Sequence, residues 1–155
     1  MARVVRQAAG FSPEAPISNE RLGELLSLQP EIFASASREF SEAPLSLAIH
    51  RWRGDRLSLY FRRSRVTGRR FEASRWIADH FWASPGDHWL PAAETRTARQ
   101  QFQRAFAAEF LCPIEALRDL LGDDLSEERL EESRDHFIVS PLMVRSHLAN
   151  HGTIV

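Results

Sequence analysis

The side chains able to do chemistry fall at four places along the 155-residue chain. His147 and His151 stand four apart, the spacing that brings two imidazoles to one helix face and to one metal ion. Leu148 occupies the position where a hydrolytic zinc site carries its glutamate base, so the pair is expected only to interact with a helix C-terminal dipole. His80, Asp87 and His88 surround a loop. Without a helical or cysteine-rich frame, they are expected to be solvated rather than to hold a metal. Cys112, the single cysteine, follows Phe110 and Leu111, lacks an adjacent base to activate it, and reads as a small buried hydrophobe. Arg75 and Asp79 are four apart and placed to pair on one helix face, beside Trp76. No Ser-His-Asp signature is present, and none of the seven glycines forms the G-x-G of a phosphate-binding loop.

Periodicity and punctuation give the elements that must position these groups. Residues 1–16 contain Gly10, Pro13 and Pro16 and show little periodicity, which predicts a linker or loose arm. Ser18 caps a helix over 18–28, and a second helix follows Pro30 using Ile32, Phe33 and Phe40. Leu45, Leu47 and Ile49, then Leu57, Leu59 and Phe61, alternate as two strands, with Arg53-Gly54-Asp55 as the hairpin corner. Helices are predicted over 70–82 and 95–111, separated by a loop at 84–94 that contains Pro85, Gly86 and Pro91. Pro113 ends the second of these and opens a short helix closed by Gly122. Asp124 or Ser126 caps the next helix, to about residue 137, and Ser140-Pro141 starts a final one ending near Gly152. The expected fold is α+β: a small hairpin-based sheet, antiparallel or mixed, packed on helices 70–82 and 95–111. A helix-turn-helix-like unit follows at 114–155, after a core domain at 17–113.

The composition, 43% hydrophobic and 26% charged, is that of a globular domain, and the length suits one core. No apolar run approaches the roughly 20 residues that cross a bilayer, and no apolar stretch follows the arginines near the N-terminus. The expected compartment is the bacterial cytoplasm, with no membrane partner. All 20 basic residues are arginine. Nine of them lie in residues 51–75 against Asp55 and Glu72, while residues 114–136 hold nine acids against Arg118, Arg129 and Arg134. Such asymmetry suits a DNA contact, or two surfaces that attract each other or sit in water.

Three segments resemble the ImmA/IrrE family of zinc-dependent endopeptidases. Phe106-Ala107-Ala108-Glu109-Phe110-Leu111-Cys112-Pro113 is similar to that family's Phe-Ala-Ala-Glu-Leu-Leu-Met-Pro helix end. Arg70-Phe71 opens a helix after a hairpin, where the family has Arg-Phe-Thr-Leu-Ala-His-Glu-Leu-Gly-His. Phe137-Ile138-Val139-Ser140, with Val144 and Leu148, is similar to its final Phe-x-Val-Ser helix pair. The resemblance implies a zincin-like fold, with Arg75, Trp76 and Asp79 at the positions of the first histidine, the glutamate base and the second histidine. The family's third ligand is an acid early on the next long helix, yet residues 95–108 contain none.

What the resemblance implies is therefore a degenerate site, in which an Arg75–Asp79 pair and the Trp76 indole replace metal and water. No catalytic residue and no cofactor are expected. The favoured reading is a non-enzymatic regulatory domain of stress or mobile-element control. It would bind a protein or extended peptide by strand addition, its partner a repressor-type regulator or another domain of a longer parent chain. One alternative is an active zinc endopeptidase with ligands rewired to His80, His88 and Glu109. The other is a DNA-associated regulator using the arginine-rich stretch and the last helix, with Arg145, His147 and Asn150 toward the groove. The acidic neighbouring helix counts against DNA.

Overall fold

The computed structural model describes residues 1–34, 45–50, 57–84 and 86–154. Among them the chain forms eight helices and a small three-stranded antiparallel sheet, so the α+β class holds. The strands are β1 (Ser46–His50), β2 (Leu57–Tyr60) and β3 (Trp89–Ala92), in the order β2-β1-β3. Ala48 faces Leu59 on one side and Leu90 on the other, which puts these three on one face of the sheet. Ser46 and Ala48 are fully buried on β1, while Leu47 and Ile49 are only half-buried. The hairpin corner at Arg53-Gly54-Asp55 lies outside the described residues, as does Phe40.

The stretch 84–94 was expected to be loop throughout, yet it contains β3. Pro91 lacks a backbone N–H and suggests a break, but among the described residues β3 is an edge strand, where no second ladder needs that donor. Leu90 and Ala92 alternate inward and supply the apolar face.

Two helices form the centre of the fold. α4 (Val66–Trp82) begins a turn earlier than the sequence predicts, and α5 (Ala98–Leu111) starts where the Thr97 hydroxyl accepts from the Gln100 N–H. Their mutual packing is the most extensive between any two elements, and α4 also packs on β3. Phe106, Phe110 and Leu111 of α5 are buried beside Trp76 and Ala73 of α4 in one continuous core.

The N-terminal residues are not a loose arm. Ala2–Ala8 is a helix, α1, packed on α5. Its anchor is polar, which is why apolar periodicity gave no sign of it. The buried Arg6 guanidinium donates to the carbonyls of Phe110 (2.5 Å), Ser12 (2.5 Å) and Ala15 (2.6 Å). α2 (Asn19–Leu26), capped by Ser18, and the short α3 (Glu31–Ala34) follow.

Beyond Pro113 come α6 (Ile114–Leu121), α7 (Glu127–Phe137) and α8 (Pro141–Asn150). Ser126 and Ser140 cap the last two, as their sequence positions predict. The turn between α7 and α8 puts Ile138 at φ 54°, a left-handed conformation costly for a β-branched residue. Arg70 of α4 holds the Ile138 carbonyl at 3.2 Å, along with Asn19 Oδ1 and the Ile17 carbonyl, tying this turn to the core.

Candidate functional site

The face of α4 that carries Arg75, Trp76 and Asp79 is buried, as a site between α4 and α5 requires. The expected Arg75–Asp79 pair does not form. This face packs against α5, which offers each residue a better-oriented partner than an i,i+4 contact can. Arg75 donates to Gln103 Oε1 (3.3 Å), to the Ala93 carbonyl (2.6 Å) and to Gln100 Oε1. Burial pulls its guanidinium down to about 10, far enough above neutral pH to leave it charged. Asp79, fully buried, instead takes a two-pronged ion pair from Arg99, at 2.5 Å to Oδ1 and 2.7 Å to Oδ2. Such fork-to-fork geometry is the strong form of a carboxylate–guanidinium contact.

The glutamines carry the network on to the sheet. Gln100 and Gln103 each donate an amide N–H to the Pro91 carbonyl, at 3.0 and 3.2 Å, and Gln100 Oε1 accepts from the Ala93 N–H at 3.0 Å. Side chains of α4 and α5 thus cover the backbone groups at this end of β3. Strand addition by a peptide along that stretch would have to displace them. Trp76 is buried and packs its ring 5.1 Å from that of Phe61, while its indole N–H finds no acceptor.

A zinc ion does not fit this face. Guanidinium has no lone pair to give, the Asp79 carboxylate is already held by Arg99, and the buried Trp76 indole is a donor only. The fixed positive charge of Arg75 opposes a second cation there.

The rewired set His80, His88 and Glu109 is not assembled either. His80 is exposed at the end of α4 with its ring against Phe81, and His88 is exposed in the loop before β3. Glu109 lies near the C-terminal end of α5 and meets the histidines that the sequence consigned to a dipole role. Among the described residues, Glu109, His147 and His151 alone bring three metal-capable side chains together, with ligand atoms within 4.8 Å of one another. His147 is buried, its Nε2 3.3 Å from Glu109 Oε2 but off the line of a good hydrogen bond. Glu109 also receives Arg3 Nε on Oε1 (2.8 Å) and the Ile114 N–H on Oε2 (3.1 Å). Burial pushes its carboxyl up, but the contacts with His147, Arg3 and Ile114 outweigh burial and hold it at about 2. The His147–His151 spacing was readable in the sequence. That Glu109 joins them was not, since nothing local links α5 to α8.

Several side chains proposed for DNA are committed elsewhere, while Arg51, Arg53 and Arg56 lie outside the described residues. Arg69, Arg70 and Arg75 are buried and bound to carbonyls, and Arg62 and Arg63 pair with Glu94. On α8, His147 is buried and Arg145 is held by Glu127. Cys112 is buried, and burial pushes its thiol up to about 12, which leaves it inert.

Among the described residues no helix is long and apolar enough to cross a membrane. No protein-family model, curated protein or solved structure matches the chain.

Proposed function

We propose that the protein is a non-catalytic binding module of the ImmA/IrrE kind, acting in the bacterial cytoplasm on a protein or peptide partner. The reading rests on one observation: the α4–α5 face holds a closed Arg75–Gln100–Gln103 network and an Asp79–Arg99 pair, with no open donor set for a metal. A hydrolytic site needs a Lewis acid or a base beside a water, and this face supplies neither. Partner contact shifts accordingly from the covered edge of β3 to the exposed aromatics flanking the loop before it. Phe81 and Trp82 end α4 and Trp89 begins β3, and Trp89 is 64% exposed. Exposed aromatics at a short chain reversal are the usual anchors of a protein contact. The partner class that fits is a repressor-type regulator or another domain of a longer parent chain.

The test is a peptide-library selection on the immobilised protein, followed by anisotropy titration of the selected peptides. Micromolar binding that weakens about tenfold in Trp89→Ala and Phe81→Ala, with the peptide recovered intact in added zinc, supports the reading. Zinc-dependent cleavage of a bound peptide, or binding indifferent to both substitutions, overturns it.

A further inference from the structure

We propose that Glu109, His147 and His151 form a site for one divalent transition ion of the zinc type, clasping α5 to the end of α8. Two imidazoles and one carboxylate are the donor set that such ions prefer over magnesium or calcium, which demand several oxygens. The three ligand atoms already lie within 4.8 Å of one another. Ligand atoms about 2.05 Å from a tetrahedral ion stand roughly 3.3 Å apart. His147 Nε2 and Glu109 Oε2 are separated by 3.3 Å. His151 is exposed at the C-cap of α8, so its side chain is free to swing the remaining distance.

A second observation points to a ligand rather than to a chance cluster. His147 is only 4% exposed, and its Nε2 is buried without a hydrogen-bond partner while facing the carboxylate. Its one close polar neighbour is the off-line Glu109 carboxylate, and a metal ion between the two would bond to both. The surroundings orient the donors as an outer layer of a metal site does. Arg3 holds Glu109 Oε1 and leaves Oε2 toward His147, the Ile114 N–H fixes that oxygen, and Arg118 anchors the His151 carbonyl at 2.9 Å. The charges facing the cluster are Arg3, Arg6, Arg118 and Glu115, with Arg3 shared between Glu109 and Glu115. Three protein ligands leave a fourth position for water. Leu148 stands where a base would be needed, so the ion is a clasp and not a hydrolytic centre. None of these residues lies on the Arg75–Asp79 face, and the proposal stands or falls separately from the binding reading.

The experiment titrates the chelator-treated full chain with Zn²⁺ against a chromophoric competitor, and with Co²⁺ for its visible spectrum. We expect one equivalent bound at micromolar or tighter affinity, a tetrahedral Co²⁺ spectrum, and a higher melting temperature with metal. His151→Ala, at an exposed position, and Glu109→Gln should each weaken binding by roughly tenfold or more. The double change His80→Ala with His88→Ala should leave it unaltered. Circular dichroism of His151→Ala without metal separates loss of ligand from loss of fold. Binding weaker than millimolar, or affinity unchanged in the folded His151→Ala variant, overturns the assignment. So does affinity lost with His80 and His88.

Discussion

Removing the Arg99 side chain is the most direct probe of the filled α4–α5 face. Asp79 is fully buried and receives both prongs of Arg99, whose own side chain keeps 25% of its surface in contact with solvent. With charge centres about 4 Å apart and an effective dielectric near 20, the attraction is about 4 kcal/mol. Arg99→Ala forfeits it and strands a buried carboxylate, a loss of roughly 3–5 kcal/mol in comparable buried pairs. Water entering along the open edge near Arg99 brings the expected cost toward about 3 kcal/mol. Asp79→Asn should cost less, about 1–2 kcal/mol, because Arg99 can turn to solvent while Asp79 cannot. Asp79→Leu combined with Arg99→Met should fall within about 1 kcal/mol of the native protein, since neither charge is then buried alone. Urea unfolding at pH 7, followed by tryptophan fluorescence and far-ultraviolet circular dichroism, gives these values if the variants share one m-value. An Arg99→Ala cost under about 0.5 kcal/mol, or Asp79→Asn costing more than Arg99→Ala, would refute the asymmetry on which the reasoning depends.

Trp76→Ala should cost about 3–5 kcal/mol, whereas Trp76→Phe should cost no more than about 2 kcal/mol, because it also removes a buried N–H without an acceptor; equal losses in urea unfolding would contradict this. Ile138→Gly should stabilise by roughly 1 kcal/mol, relieving the left-handed backbone at φ 54° where the side chain is only half-buried, and a lower melting temperature would count against it. The Glu109 carboxyl sits at about 2, below its ordinary 4.5, so its stabilisation is complete above pH 4.5 and disappears as pH falls through 2. That is at most about 3 kcal/mol, and Glu109→Gln should flatten the acid limb of a pH–stability profile between those values.

The helical scaffold was legible because its signals are local. Ser18, Ser126 and Ser140 cap the helices that their positions announce, and Pro113 and Gly122 bracket α6. What escaped was whatever depends on distant polar contacts. α1 docks through Arg6, whose partners are carbonyls up to 104 residues away, and carbonyls leave no trace in a hydropathy pattern. β3 hid behind Pro91, since only the position of a strand in the sheet tells whether its missing N–H matters. On the candidate site, helical spacing placed Arg75 and Asp79 on one helix face beside Trp76, and the structure buries all three. The spacing paired Arg75 with Asp79 wrongly, because Gln100, Gln103 and Arg99 reach them across an interface that it alone does not define.

The absence of lysine gains a physical sense from these contacts. Arg6, Arg69, Arg70 and Arg75 are all buried, and each donates to carbonyl or amide oxygens. One planar guanidinium with five donors can bind several neutral acceptors at once, where a buried ammonium would leave its charge poorly spread. Arg6 fastens α1 to α5, Arg70 fastens the α7–α8 turn to α4, and Arg75 fastens α4 to α5 and to the end of β3. A metal bound between α4 and α5 would join these elements by lone pairs converging on a cation. The chain joins them by a cation whose N–H groups diverge onto oxygens. Among the described residues, lone-pair donors converge only at Glu109, His147 and His151, where Arg3 holds one carboxylate oxygen and Arg118 the His151 carbonyl.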